Sequence, residues 1–379
     1  MGQLKVMTIL GTRPEIIRLS RVIALLEDTL DHTLVHTGQN YDRELNEVFF
    51  EDLGLRAPDH YLGAGGGTVG ATLGVILTEV EKLLLADPPD AVLILGDTNS
   101  ALAGIIVKRL RIPLFHMEAG NRCFDANVPE ELNRKIVDRI SDFNLVYTEH
   151  ARRHLLSEGF PHRRIYLTGS PMKEVLDHYQ PQIDRSKALQ TLKLQAGDYY
   201  LVSVHREENV DSRRQLARLV QVVNSLAERD GVPVVVSTHP RTRDRLAKAD
   251  AKLHEGVALL KPFGFLDYNQ LQQQARCVLS DSGTISEESA ISGFPAVTVR
   301  TAMERPEALD AGSIILAGTE PQAVLRAVDT VVAQFGRGWR TSPPAEYLIE
   351  NVSQRVVNLI IGTAGLSNRW DGIFPEDYI

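Results

Sequence analysis

Along most of the chain, short apolar runs rich in β-branched residues alternate with stretches whose apolar positions recur every three or four residues. Residues 5–10 predict a strand and residues 15–27 a helix, in which Ile16, Leu19, Ile23 and Leu26 form one stripe. The alternation continues with strand 32–37 and helix 43–53, then strand 91–95 and helix 101–110, then strands at 113–117, 145–148 and 165–168. This rhythm is the pattern of a parallel sheet with helices on both faces. Around residues 170–197 it breaks into a connection containing Tyr179-Gln180-Pro181-Gln182-Ile183-Asp184, and a second series begins at Tyr199. That series predicts strands at 199–204, 234–237, 257–260, 277–279, 296–299 and 313–316. The expected architecture is α/β, with two doubly wound Rossmann-like domains facing a central cleft. The domains fall at residues 1–172 and 173–350, followed by a segment 351–379 that opens with a helical pattern.

Composition narrows the function classes. The 379 residues are 43% hydrophobic and 24% charged, which suits two ordinary domains with sizeable cores. A net charge of -8 argues against gripping nucleic acid by its phosphates and leaves room for a focused anion pocket. Cys123 and Cys277 lie far apart in no metal-ligand spacing, so neither a disulfide framework nor a zinc site is indicated. The short apolar run before Arg13 is wrongly flanked for a signal peptide, and no run approaches the roughly 18 apolar residues of a membrane span. The expectation is a cytoplasmic protein without membrane or nucleic-acid partners.

Ligands of an open parallel sheet bind beyond the carboxyl ends of its strands, where helix N-termini also point. The chemically unusual residues gather at those places. The first strand is followed by Gly11-Thr12-Arg13-Pro14-Glu15, with Arg18 one turn later. Asp97 follows the strand 91–95 and Glu118 the strand 113–117, so two carboxylates of one domain converge on the same end of the sheet. Glu130, in Pro129-Glu130-Glu131-Leu132-Asn133-Arg134, is a third acidic candidate at a helix start. Each has a plain alternative: Asp97 as an N-cap, Glu130 or Glu131 as a favourable charge in a first helical turn. In the second series His205-Arg206 and His239-Pro240-Arg241 place two histidines with arginines at strand ends, pointing to an anion pocket. Ser282-Gly283-Thr284 adds hydroxyls and main-chain N–H groups at a helix start, a phosphate seat without a P-loop lysine.

With these motifs in order along nearly the full length, the chain resembles the non-hydrolysing UDP-N-acetylglucosamine 2-epimerase family. The resemblance rests on Gly11-Thr12-Arg13-Pro14-Glu15, Gly96-Asp97-Thr98, Glu118-Ala119-Gly120-Asn121-Arg122, the segment 129–134, and His205-Arg206-Glu207-Glu208-Asn209. It continues through Ser280-Asp281-Ser282-Gly283 with Glu287-Glu288 to Glu304-Arg305-Pro306-Glu307. It implies a fold like that of GT-B glycosyltransferases, a nucleotide held mainly by the C-terminal domain, a final helix crossing back to the first domain, and a homodimer. Where many members have leucine and threonine around the arginine, this chain has Asn121 and Cys123. Thr284 replaces a second glycine, Ser286 a glutamine, and Arg18 a lysine. These replacements resemble the branch that makes UDP-N-acetyl-L-fucosamine from UDP-2-acetamido-2,6-dideoxy-L-talose.

The implied reaction is an isomerisation at C2. Elimination of UDP from C1 makes the C2 proton removable; re-addition with protonation of the other face inverts the centre, with no cofactor and no metal. On this reading Asp97, Glu118 and Glu130, with His205, are the catalytic candidates. Arg13, Arg18, Arg122, Arg206, His239, Phe265, Ser282, Gly283, Thr284, Glu288, Arg305 and Glu307 are the UDP- and substrate-binding ones. Ser282, Gly283, Thr284, Arg13 and His205 would stabilise the departing diphosphate, and Glu288 would hold the ribose. The alternatives are a UDP-GlcNAc/UDP-ManNAc epimerase, a GT-B glycosyltransferase, and a non-catalytic nucleotide-sugar sensor.

Overall fold

A computed structural model describes residues 3–39, 43–238, 240–249, 251–340 and 342–374. The chain divides into two compact units, the first of residues 1–175 with 346–379, the second of residues 176–345.

Among the described residues the first unit has strands β1 (Lys5–Leu10), β2 (Asp31–His36), β3 (His60–Tyr61), β4 (Ala91–Leu95), β5 (Leu114–Met117), β6 (Phe143–Val146) and β7 (Ile165–Leu167). They form one parallel sheet in the order β3-β2-β1-β4-β5-β6-β7. The second unit has β8 (Tyr200–Ser203), β9 (Val234–Ser237), β10 (Val257–Leu260), β11 (Cys277–Ser280), β12 (Ala296–Thr298) and β13 (Ile315–Leu316), ordered β10-β9-β8-β11-β12-β13 and again parallel. Both sheets are doubly wound. The strand order reverses between β1 and β4 in the first and between β8 and β11 in the second, and such switch points open a crevice at the strands' carboxyl ends.

The central strands carry continuous apolar runs because helices cover both their faces. Every residue of Ala91–Leu95 is buried, as expected for parallel strands that have no solvent side. The helix Arg13–Thr29 buries Ile16, Leu19, Ile23 and Leu26 and starts with Pro14 near its N-terminus, where the missing N–H costs nothing. The helix Pro306–Asp310 starts in the same way. The final helix, Val352–Trp370, packs against Arg13–Thr29 through a face that includes Val352, Val356, Val357 and Ile360.

Three local expectations are corrected. Residues 172–184 are a helix, not an irregular connection: Met172, Val175, Leu176, Tyr179 and Ile183 recur at helical spacing and are all buried, which outweighs Pro181 near the end. The strand expected at 145–148 lies at Phe143–Val146, because Thr148 instead caps the helix Glu149–Ser157 by accepting the Ala151 N–H. The helix expected at 101–110 opens with the 3-10 turn Asn99–Ala103 before Gly104–Arg109. The helix Val69–Ala86 has no counterpart in the sequence reading. Its residues are apolar on most sides, so no stripe stands out, although Thr68 caps it in the ordinary way.

Candidate active site

In the first unit the three acidic loops sit at or beside the β1/β4 switch point. Glu15 folds back at the start of its helix; its Oε2 accepts the Gly11 and Thr12 N–H groups at 2.6 and 2.8 Å, and its Oε1 accepts the Thr98 hydroxyl at 2.6 Å. One carboxyl group thereby ties the loop after β1 to the loop after β4. Burial pushes it up to about 7, against the hydrogen bonds from Thr98, Gly11 and Thr12. Gly11 is required here: a Cβ would collide with the Thr37 and Ser100 hydroxyls, which hydrogen-bond each other at 2.7 Å. Arg13 is partly exposed with its guanidinium 5.7 Å from the centre of the Phe49 ring.

Asp97 follows β4 and points at Arg134, whose Nε donates to Oδ2 at 2.9 Å while Nη2 donates to the same oxygen. Arg134 also donates from Nη1 to Glu131 at 2.8 Å. Glu118 follows β5 in a left-handed backbone conformation, φ +65°, which a residue with a long side chain adopts at a cost. Arg18, buried against Tyr147, approaches it with Nη1 3.6 Å from Oε2. The two carboxylates of adjacent strands thus each face a buried arginine.

Glu130 is exposed on the first turn of the helix Pro129–Ile140, while its neighbour Glu131 is buried. Burial raises the Glu131 carboxyl, but donors from Cys123 and charge from Arg134 and Lys135 outweigh it and hold it below its usual range. Glu131, Arg134 and Asp138 share the buried face at three- and four-residue spacing, a signal that the sequence reading left unused. Arg122 is wholly committed within the protein. Its Nε and Nη2 donate to Glu158 and its Nη1 to Asp138, all at 2.7 Å.

In the second unit, Asp281 organises the β8/β11 switch point. It is fully buried and accepts the main-chain N–H groups of His205 and Arg206 and the Asn209 side-chain amide, the last two at 2.9 Å. His205 sits half exposed with Nδ1 3.2 Å from the Asp281 carboxylate. Arg206 donates to the Asp281 carbonyl and to Glu304, which also accepts from Arg300. Arg305 donates to the Gly283 carbonyl and lies 3.5 Å from Glu287. Ser282 and Thr284 share a hydroxyl–hydroxyl hydrogen bond of 2.9 Å just before the helix Ile285–Ser292. Glu288, in the first turn of that helix, accepts from Gln272 at 2.7 Å. Glu307 is buried in the first turn of its own helix, and Phe265 is buried at the start of the helix Phe265–Gln274 against Tyr179. His239 lies outside the described residues. Asp281 and Glu304, present in the quoted motifs, were not among the candidates; the structure uses both to orient arginine and histidine donors.

Arginines, a histidine, hydroxyls and a helix start at one switch point are groups that can receive an anion, and the two arginine-backed carboxylates after β4 and β5 are groups that can exchange protons. The family model for UDP-N-acetylglucosamine 2-epimerase matches residues 24–361. A structure of UDP-N-acetylglucosamine 2-epimerase from Rickettsia bellii is 43% identical, covers 97% of this chain and 98% of its own, and superposes with a TM-score of 0.90. The Methanocaldococcus jannaschii UDP-GlcNAc 2-epimerase, solved in complex with UDP-GlcNAc and UDP, is 34% identical over 95% of this chain and 100% of its own, with a TM-score of 0.87. A curated relative from Pseudomonas aeruginosa, UDP-2,3-diacetamido-2,3-dideoxy-D-glucuronate 2-epimerase, is 35% identical over 91% of this chain and 99% of its own length. With the family model matched over most of its length and relatives above 30% identity covered nearly end to end, the chain belongs to the UDP-N-acetylglucosamine 2-epimerase family of isomerases.

Proposed function

We propose that this protein epimerises C2 of a UDP-2-acetamido sugar, and that its substrate is UDP-2-acetamido-2,6-dideoxy-L-talose, giving UDP-N-acetyl-L-fucosamine. The observation that carries the activity is the pair Asp97 and Glu118 at the ends of adjacent strands, each beside a buried arginine. A C2 inversion removes a proton from one face and delivers one to the other, so it uses two separately held carboxyl groups. As the C2–H bond breaks, its electron pair forms the C1–C2 double bond and UDP leaves with the C1–O pair. In the return step the UDP oxygen attacks C1 and the opposite face of C2 takes up a proton.

On this reading Ser282, Gly283, Thr284, His205 and Arg13 stabilise the charge that grows on the leaving diphosphate, a contribution of several kcal/mol per donor. Glu288 holds the ribose, and Arg206, Arg305, Phe265 and Glu307 shape the nucleotide pocket. Arg122, with its donors spent on Glu158 and Asp138, supports the loop of Glu118 instead of touching substrate. Glu130 is the third proton-handling group, exposed and available.

The choice of sugar rests on Arg18, Asn121, Thr284 and Ser286. The relatives stand at 43% for the R. bellii protein, 35% for the P. aeruginosa one and 34% for the M. jannaschii one, and none carries the L-talose sugar in its name, so the assignment rests on these residues and not on overall likeness. Side-by-side NMR of the protein with UDP-GlcNAc and with the L-talose-configured substrate, in D2O and without acceptor, separates the readings. Faster deuterium entry at C2 of the L-talose sugar is expected. Faster exchange into UDP-GlcNAc overturns the substrate assignment, and UDP release that requires an acceptor overturns the activity in favour of glycosyl transfer.

A further inference from the structure

One fully buried histidine lies between the two carboxylate loops without belonging to either. His116, the third residue of β5, has its Nε2 2.7 Å from the Gly96 carbonyl oxygen. A carbonyl only accepts, so Nε2 is the donor. Gly96 and Asp97 share that peptide unit, so this bond fixes the plane from which the Asp97 side chain departs. On the other side of the ring, Nδ1 lies 3.0 Å from Asp138 Oδ1, with both side chains wholly buried. Asp138 in turn accepts the Gly120 N–H on both oxygens at 3.2 Å. The path from the Asp97 peptide through His116 and Asp138 to Gly120, two residues beyond Glu118, is continuous: a hydrogen bond at the Gly96 end, the 3.0 Å contact between His116 and Asp138 in the middle, and hydrogen bonds at the Gly120 end.

Everything around this path makes it stiff. Burial drives the Asp138 carboxyl up, but contacts with His116 and Arg122 outweigh it and keep it below its usual range, as an acceptor. Arg122 links Asp138 to Glu158, and His154 contacts the Gly120 carbonyl at 3.0 Å. Gly120 has φ +78°, and a Cβ there would stand 2.5 Å from the Ala151 carbonyl oxygen. Helix 129–140 carries Asp138 together with Asn133 and Arg134, which bind the Asp97 carbonyl and carboxylate.

We propose that His116 is a positioning residue for the epimerisation, which with Asp138 sets the placement of the Asp97 peptide relative to the Glu118 loop. The inference rests on the proposed activity for its kinetic consequence, though not for the link itself. A displacement of about 1 Å in a proton-handling group is enough to cost up to about 100-fold in rate.

Three substitutions divide the path. In His116→Asn the amide nitrogen stands where Nδ1 stood, keeping Asp138 and losing Gly96. In His116→Gln the longer side chain places its amide near Nε2 and keeps Gly96. His116→Ala loses both. The expected result is a kcat at least about ten-fold lower in His116→Asn and His116→Ala, with KM and UDP affinity within two-fold of wild type and substantial recovery in His116→Gln. The Asp97 amide nitrogen resonance, which reports on the Gly96 carbonyl hydrogen bond, should move in His116→Asn and His116→Ala and stay near its wild-type position in His116→Gln.

Folded His116→Asn protein with unchanged kcat, or a His116→Gln variant as slow as His116→Ala, overturns the positioning role. If His116→Ala does not fold, the Asn and Gln variants carry the same comparison. A wild-type protein that exchanges no C2 hydrogen in any UDP-acetamido sugar overturns the proposed function instead, and the link then stands or falls on the Asp97 resonance.

Discussion

At Glu15 a carboxyl group accepts two main-chain N–H groups and a hydroxyl, yet burial still pushes it from 4.5 to about 7. Below pH 4.5 folded and unfolded chains both carry this proton. Between about 4.5 and 7 the unfolded chain releases it first, so folding loses stability as pH rises, up to about 3 kcal/mol above pH 7. Glu15→Gln keeps an acceptor for Gly11 and Thr12 without that penalty and reverses the third bond, its amide N–H donating to the Thr98 hydroxyl oxygen. Its thermal midpoint should exceed that of wild type at pH 8, with the difference closing below about pH 4.5; a Gln variant less stable at pH 8 would contradict this account. Asp97 and Glu118 are predicted to behave differently. Asp97→Asn and Glu118→Gln should lower kcat by about 100-fold or more while UDP binding, measured calorimetrically, stays within a few-fold of wild type. Retained turnover in either variant removes that residue from the chemistry.

Among the elements, β2 serves the fold, whereas the helix 129–140 serves both the fold and the candidate site. β2 carries His32 and His36, and burial pushes both imidazoles down to about 4. His36 Nδ1 accepts the Gly38 N–H at 3.0 Å and its ring stacks on Tyr61 at 5.1 Å, an arrangement that needs the neutral ring. As pH falls from 6.5 towards 4 the unfolded chain gains protons that the folded one refuses, and each histidine withdraws up to about 3 kcal/mol. The amides of β2 and β3 should therefore lose hydrogen-exchange protection in this window. His36→Asn, which keeps an acceptor for Gly38, should flatten the loss; unchanged pH dependence would exclude His36 as its source. The helix 129–140 was legible from its amphipathic spacing and from Pro129. Which of its two adjacent glutamates turns inward was not, because either could begin the first turn until Val128, Arg134 and Asp138 found their partners.

For the whole molecule, the division of the chain is discontinuous: residues 346–379 count with residues 1–175. The final helix buries Val352, Val356, Val357, Ile360 and Ala364, and the first unit reaches it through Glu174 to Ser353 at 2.8 Å and Arg164 to Asp371 at 2.6 Å. Val356→Asp places an unpaired carboxylate in that contact and should destabilise by several kcal/mol. The loss of exchange protection should appear in β1 and its neighbours while β8, β9 and β11 keep theirs. Equal loss in both sheets would mean that the helix supports the two units alike. Among the described residues no helix is long and apolar enough to cross a membrane.

The sequence by itself determined the two series of strands and helices, because parallel strands covered on both faces show as apolar runs and helices as stripes, both properties of neighbours along the chain. It also placed Asp97, Glu118, His205 and Ser282-Gly283-Thr284 at strand ends, since motifs that follow a strand sit at its carboxyl end in any wound sheet. Strand order was decided only in three dimensions, and with it the fact that the loops after β1, β4 and β5 meet at one edge of the first unit. So were the partners of each charge. Arg122 faces Asp138 and Glu158, Asp97 faces Arg134, and His116 joins Gly96 to Asp138. These pairings bridge 16 to 37 residues of chain, and spacing along a sequence carries no information on which buried donor will meet which acceptor until the core has packed.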